Sequence, residues 1–421
     1  MLFAIVFTPA QANAEGTTQM NEMQSISYNT DIYIDILNAG EVINISLCDE
    51  GYGNYIDIYD INGTPADKSD DIPLDSSSFT PNLDCEDPLP NPIMNAYKYT
   101  PAGIGTYRIR IDESSSRFDL SVTPNIGADP DPTSTTPGRV WSYQWRFSAL
   151  ESLDPQEYPE STSTDANLYA VVPAPVVGEN FIWKLDLNNF AGGSYRLMAN
   201  SIGLDAPYSG VSAWDDEGSV TPKFPIYLKY PEKTGLSNTT TPSISNFGFL
   251  DDDGEDETFS PGATTGIQDS GTFSFTSNVD NATYAITVDT NKDGIYGTGD
   301  RVLLGNASTG VNNVTWDGNY ANGQPVPIGN YSAQIQLRIG EFHFVARDVE
   351  ASGGTYDNVT WANGLSIYKA TSATTQENTT LFWDDLSFLR VITTDENDDD
   401  FLTDQLYSDA TSNLPNGVTS G

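Results

Sequence analysis

Apolar residues fall at every second position in short runs that recur along most of this chain, and that period commits the runs to β-strands. Ile32-Tyr33-Ile34-Asp35-Ile36, Val42-Ile43-Asn44-Ile45-Ser46-Leu47, Tyr55-Ile56-Asp57-Ile58-Tyr59 and Tyr107-Arg108-Ile109-Arg110-Ile111 all alternate in this way. They are rich in β-branched and aromatic side chains, which suit a pleated, half-buried surface. Between the runs stand clusters of Gly, Pro, Thr, Ser, Asn and Asp, the residues of turns. The expected fold is all-β, a tandem series of β-sandwiches of jelly-roll and Ig-like type. With 421 residues the chain exceeds one ordinary sandwich, and its 22 Tyr, 18 Phe and 7 Trp can fill several modest cores.

Shifts in composition divide the chain. Residues 15–125 read as a first sandwich, closed by Phe118-Asp119-Leu120-Ser121-Val122. The Pro-, Ser- and Thr-rich stretch 126–138 reads as a linker. A second sandwich is expected over 139–236, opening on Arg139-Val140-Trp141-Ser142-Tyr143-Gln144-Trp145 and continuing through strands near 168–172, 181–187, 195–199 and 226–229. A third module spans 237–350, a trailing β segment spans 351–392, and 393–421 is an acidic linker or tail.

Asp and Glu total 59 against 18 Lys and Arg, a formal net charge of −41. Such a chain repels phosphate backbones and anionic lipid, so nucleic acid and direct membrane insertion are not expected, whereas cations are attracted. The apolar stretch 1–8 followed by Ala12-Asn13-Ala14 has the small-x-small form of a signal-peptidase site, so 1–14 reads as a signal peptide. The basic region that usually opens such a peptide is missing, which points to a true start upstream. No stretch approaches the length of a membrane helix. Export makes free thiols a liability, and the two cysteines, Cys48 and Cys85, are expected to pair. A bridge closing a loop of that length is worth roughly 4 kcal/mol in the chain-entropy picture.

The stretch 289–300 carries the clearest chemistry. Calcium takes six to eight hard oxygens at about 2.3–2.6 Å, and the twelve-residue calcium loop supplies them at alternate positions. Here Asp289, Asn291 and Asp293 stand at the first, third and fifth positions, Gly294 permits the sharp turn, and the carbonyl of Ile295 follows. Asp300 closes the set where a bidentate Glu is usual, so its shorter side chain weakens the site or calls on a water. Ala285-Ile286-Thr287-Val288 before the loop and Arg301-Val302-Leu303-Leu304 after it read as strands, which predicts a calcium loop that fixes a hairpin. The acidic runs at 251–256 and 395–399 share the alternation without a full ligand set. Calcium is the one cofactor expected.

Phe259-Ser260-Pro261, Val314-Thr315-Trp316-Asp317-Gly318, Asn322-Gly323, Pro325-Val326-Pro327 and Gly329-Asn330-Tyr331 occur in that order. This series resembles the Ig-like domain of flagellar hook-capping proteins, which recurs in modular bacterial secreted and surface proteins. The resemblance covers residues 244–340 and implies an Ig-like sandwich with Trp316 as a core aromatic. It departs from the family at Gly262-Ala263-Thr264-Thr265, and calcium is read from the loop alone. Shorter likenesses link 138–142 and 340–344 to large modular surface proteins, and 105–111 to small jelly-roll domains of secreted proteases.

An enzyme is not expected. The one histidine, His343, lies in the strand-like Glu341-Phe342-His343-Phe344-Val345, and neither a nucleophile–histidine pair nor a His- or Cys-rich zinc set is present. The expectation is a secreted, cell-surface or matrix protein with adhesive or structural work, braced by calcium. Its partner would be a surface polysaccharide or protein, with self-association a further route. The alternative is a carbohydrate-binding or accessory region of a larger secreted hydrolase.

Overall fold

The computed structural model describes residues 15–16, 24–26, 30–48, 54–79, 96–111, 117–124, 135–149, 164–191, 194–202, 221–231, 235–236, 241–251, 268–296, 299–347, 351–352, 354–356, 359–361, 365–378, 381–383 and 418–420. Among them the chain is all-β, relieved by one short 3-10 turn, Lys68–Asp70. The strands form β-sandwiches around two main cores.

The larger core lies between a twelve-stranded sheet and two four-stranded sheets. The long sheet runs from Gln376–Asn378 through Leu365–Ala370, Glu179–Ala191, Thr164–Pro173, Ile226–Tyr227, Val140–Ser142, Asp31–Ile36, Gly105–Ile111 and Asn54–Asp60 to Ile72–Phe79. Gly235–Leu236 and Ala351–Ser352 attach beside Glu179–Ala191. One smaller sheet joins Glu15–Gly16, Arg117–Thr123, Val42–Cys48 and Tyr97–Tyr99, and the other joins Gln24–Ile26, Gln144–Ala149, Ser194–Asn200 and His343–Arg347. Strand alternation explains the filling. Ile32, Ile34 and Ile36 meet Ile43, Ile45 and Leu47 from one facing sheet, and Trp145, Phe147 and Leu197 from the other. Full burial of each such side chain is worth roughly 1.5–3 kcal/mol relative to exposure.

Asp31–Ile36 is buried on both faces. Its other face sends Tyr33 onto Trp141, the rings stacked at 4.4 Å, beside Tyr143 and Tyr227. Asp35 is buried there because its two oxygens accept from Thr106 Oγ1 at 2.6 Å and Tyr227 Oη at 2.7 Å.

The stretch 126–138 leads from Arg117–Thr123 in one of the smaller sheets to Val140–Ser142 in the long sheet. Beyond it Val140 pairs with Ile34 and Trp141 with Tyr33, and residues from both sides of the stretch fill one core. At Tyr143 the chain passes from the long sheet into the facing one, Val140–Ser142 belonging to the first and Gln144–Ala149 to the second.

The smaller body is a three-on-three sandwich. Ile244–Asp251, Gly271–Ser277 and Gly310–Trp316 face Arg301–Ala307, Ala282–Val288 and Ala333–Ile339 around Phe273, Phe275, Ile286, Val288, Leu303 and Trp316. Trp316 ends its strand buried, its indole N–H donating to Asn319 O at 3.1 Å. This sandwich is an insertion. Gly235–Leu236 ahead of it pairs with Glu179–Ala191, and His343–Arg347 after it pairs with Ser194–Asn200, both in the larger body. The seam is polar and aromatic: Trp183 Nε1 donates to Gly340 O at 3.1 Å, Trp183 stacks on Phe342, and Asn281 Nδ2 donates to Ala174 O at 2.9 Å.

Candidate functional site

The loop 289–300 joins Ala282–Val288 to Arg301–Ala307, the two strands in antiparallel register up to Val288↔Arg301, so a β-hairpin frames it. Gly294 sits at φ 78° and Lys292 at φ 61°, left-handed positions that fold the loop back on itself. Asn291 Oδ1 accepts from Asp293 N at 2.9 Å, and Asp293 Oδ1 accepts from Ile295 N at 2.7 Å. Asp289 Oδ2 accepts from Gly294 N at 3.1 Å, and Asp300 Oδ1 accepts from Thr290 N at 3.1 Å.

Two of these carboxylates are buried, Asp289 and Asp300, each 5% exposed. Asp289 Oδ1 has no hydrogen-bond partner. A buried carboxylate oxygen without a donor is costly, and a cation offsets that cost directly. The donors present are all hard oxygens, as calcium requires. Among the described residues no three acidic, His or Cys side chains come close enough to hold a metal between them. A full shell would therefore draw on Asn291 Oδ1 and the Ile295 carbonyl beside Asp289, Asp293 and Asp300. The oxygens engaged in the loop's own hydrogen bonds each keep a second lone pair for this.

Cys48 ends the strand Val42–Cys48, and Cys85 lies outside the described residues, as do 252–260 and 395–399. His343 begins its strand half-buried, with Nε2 3.0 Å from Glu341 Oε1.

A second site is a cleft of about 960 Å³ where the inserted sandwich meets the larger body. Its lining combines Tyr33 and Tyr143 with Arg110, Arg146 and Lys223, and Asn306 reaches in from the inserted sandwich. Ser201 Oγ and Lys223 Nζ both donate to Asn306 Oδ1, at 2.6 and 2.8 Å. Its residues stand at 31–33, 65–68, 108–110, 142–146, 200–202, 221–223 and 306. No run of sequence announces it. The only available signal was that 18 basic residues in a chain this acidic each need a reason.

No known protein family, curated protein or solved structure matches the chain.

Proposed function

We propose that this chain is a secreted, calcium-braced surface or matrix protein whose sandwiches carry adhesive or structural work. The carrying observation is the buried, unpartnered oxygen of Asp289 at the mouth of a hairpin whose loop supplies only oxygen donors. Calcium held by Asp289, Asn291, Asp293, Asp300 and the Ile295 carbonyl would pin the ends of Ala282–Val288 and Arg301–Ala307 together. It would stiffen the hairpin without opening any element. The chain's acidity fits a calcium-bearing exterior, and Ala12-Asn13-Ala14 fits export. A Cys48–Cys85 bridge belongs to the same reading.

Titrating calcium into the full chain by calorimetry tests this. Saturable heat is expected, lost in Asp293→Ala and at least tenfold weaker in Asp289→Asn, the latter chosen because an amide still accepts from Gly294. Absence of heat in the unmodified chain, at concentrations up to millimolar, would sink the calcium reading.

A further inference from the structure

We propose that the cleft beneath the inserted sandwich binds a short anionic saccharide, one bearing carboxylate or sulfate groups on its rings. The inference deepens the adhesive reading by giving it a ligand class, and to that extent it rests on that reading. It stands apart from the calcium loop.

Charge makes the first case. The lining carries five cations, Lys68, Arg108, Arg110, Arg146 and Lys223, against one carboxylate, Asp31. Those five are drawn from only 18 basic residues in a chain of net charge −41. Two of them are already committed: Lys68 pairs with Asp31, and Arg108 bridges Asp31 and Asp71 while lying over the Tyr59 ring. Arg146 and Lys223 make no salt bridge among the described residues. Their hydrogen-bond partners are neutral: Gln144 Oε1 for Arg146 at 3.2 Å, and Asn306 Oδ1 and Ser201 Oγ for Lys223. Arg110 is exposed, in register between Asp31 and Asp57 and bridged to neither.

The strand register sharpens this. Arg146 stands directly opposite Arg196 in the neighbouring strand. Like charges directly opposite across strands destabilise a sheet. Burial and the neighbouring Arg196 both depress the Arg146 pKa, and burial depresses that of Lys223. A cleft that holds cations in this way gains most from an arriving anion.

The remaining lining selects the kind of anion. Amides and hydroxyls from Gln144, Asn200, Ser201 and Asn306 stand beside the cations, and the half-buried Tyr143 ring lines the cleft with them. Sugar hydroxyls meet the first group, a sugar ring meets the tyrosine, and a uronate or sulfate meets Arg146 and Lys223. The overall negative field disfavours polymers as densely charged as nucleic acid.

The test titrates four probes into the full chain: tetragalacturonate, its fully methyl-esterified counterpart, a sulfated tetrasaccharide, and an eight-nucleotide single-stranded DNA. Each is run in calcium and in chelator. Expected are binding of an acidic saccharide at least tenfold tighter than of the neutral ester, and at least fivefold weakening in Arg146→Gln and in Lys223→Gln. Weakening with rising salt is also expected, as is full affinity in Lys369→Gln, which lies in the far strand Leu365–Ala370. Which acidic probe binds better separates a carboxylate ligand from a sulfate one. Equal binding of the ester, tighter binding of the DNA, unchanged affinity in both cleft variants, or no binding of any saccharide overturns the proposal. Melting curves of the two variants exclude loss of fold. Saccharide binding that persists in chelator, with no calcium heat, would discard the calcium reading while leaving the cleft.

Discussion

Arg139 carries a guanidinium into the interior of the larger body. Nη1 donates to Asp35 O and to Glu41 Oε2, and Nη2 donates to Glu41 Oε1, all at 3.1 Å. Burial raises the Glu41 pKa, but hydrogen bonds from Asn38 and Leu37 together with Arg139 outweigh it and hold the carboxyl below its ordinary range. Removing one partner strands the other, so Arg139→Met is expected to cost about 3–5 kcal/mol, whereas Arg139→Met with Glu41→Met should recover most of that loss. Urea midpoints of the two variants check this. Glu15 is the opposite case. It is fully buried, and burial pushes its carboxyl up to about 7 despite donation from the amides of Arg139 and Val140 and the attraction of Lys229. Because the folded value lies above the unfolded one, the folded state binds the extra proton, and stability falls as pH rises from about 4.5 through about 7. Glu15→Gln should flatten that slope and raise stability at pH 8 by up to about 3 kcal/mol, read from melts at pH 5 and pH 8.

At the level of strands and turns, much was legible in advance. The alternation in 32–36, 42–47, 107–111 and 118–122 became Asp31–Ile36, Val42–Cys48, Gly105–Ile111 and Arg117–Thr123. Both strands flanking 289–300 formed as their patterns required. Partner choice was not legible, since alternation says which face a residue takes and nothing of what lies beside it. Val140–Ser142 returns to Asp31–Ile36 across a stretch whose composition reads as a spacer, and His343–Arg347 returns to Ser194–Asn200 from beyond the inserted sandwich. The return depends on Gly138, at φ 74°, where a Cβ would stand 2.0 Å from Tyr230 O. Gly138→Ala is therefore expected to destabilise by at least about 2 kcal/mol, measured by chemical denaturation, while Gly63→Ala, which meets nothing nearby, pays only for its backbone angle. The cleft escaped sequence reading for the same reason as the partners. Arg146, Lys223 and Asn306 are neighbours only after the strands have paired.

Among the described residues the inserted sandwich keeps a core of its own, apart from that of the larger body, which makes the two separate cooperative units. Calorimetric melting should show two transitions. Calcium should raise only the one belonging to the inserted sandwich, and in the Asp293→Ala variant calcium should move neither. A single transition that moves as a unit would mean the seam couples the cores fully. The connectivity of that insertion also settles how tension would travel. The chain enters and leaves the inserted sandwich beside strands of one larger body, and Glu15–Gly16 and Leu365–Ala370 are both laced into that body. Pulling from either side of residues 15–378 thus loads the large sandwich first. The small one hangs in parallel as an unloaded side branch, and its hairpin loop 289–300 would keep its shape until the bearing sheet had torn.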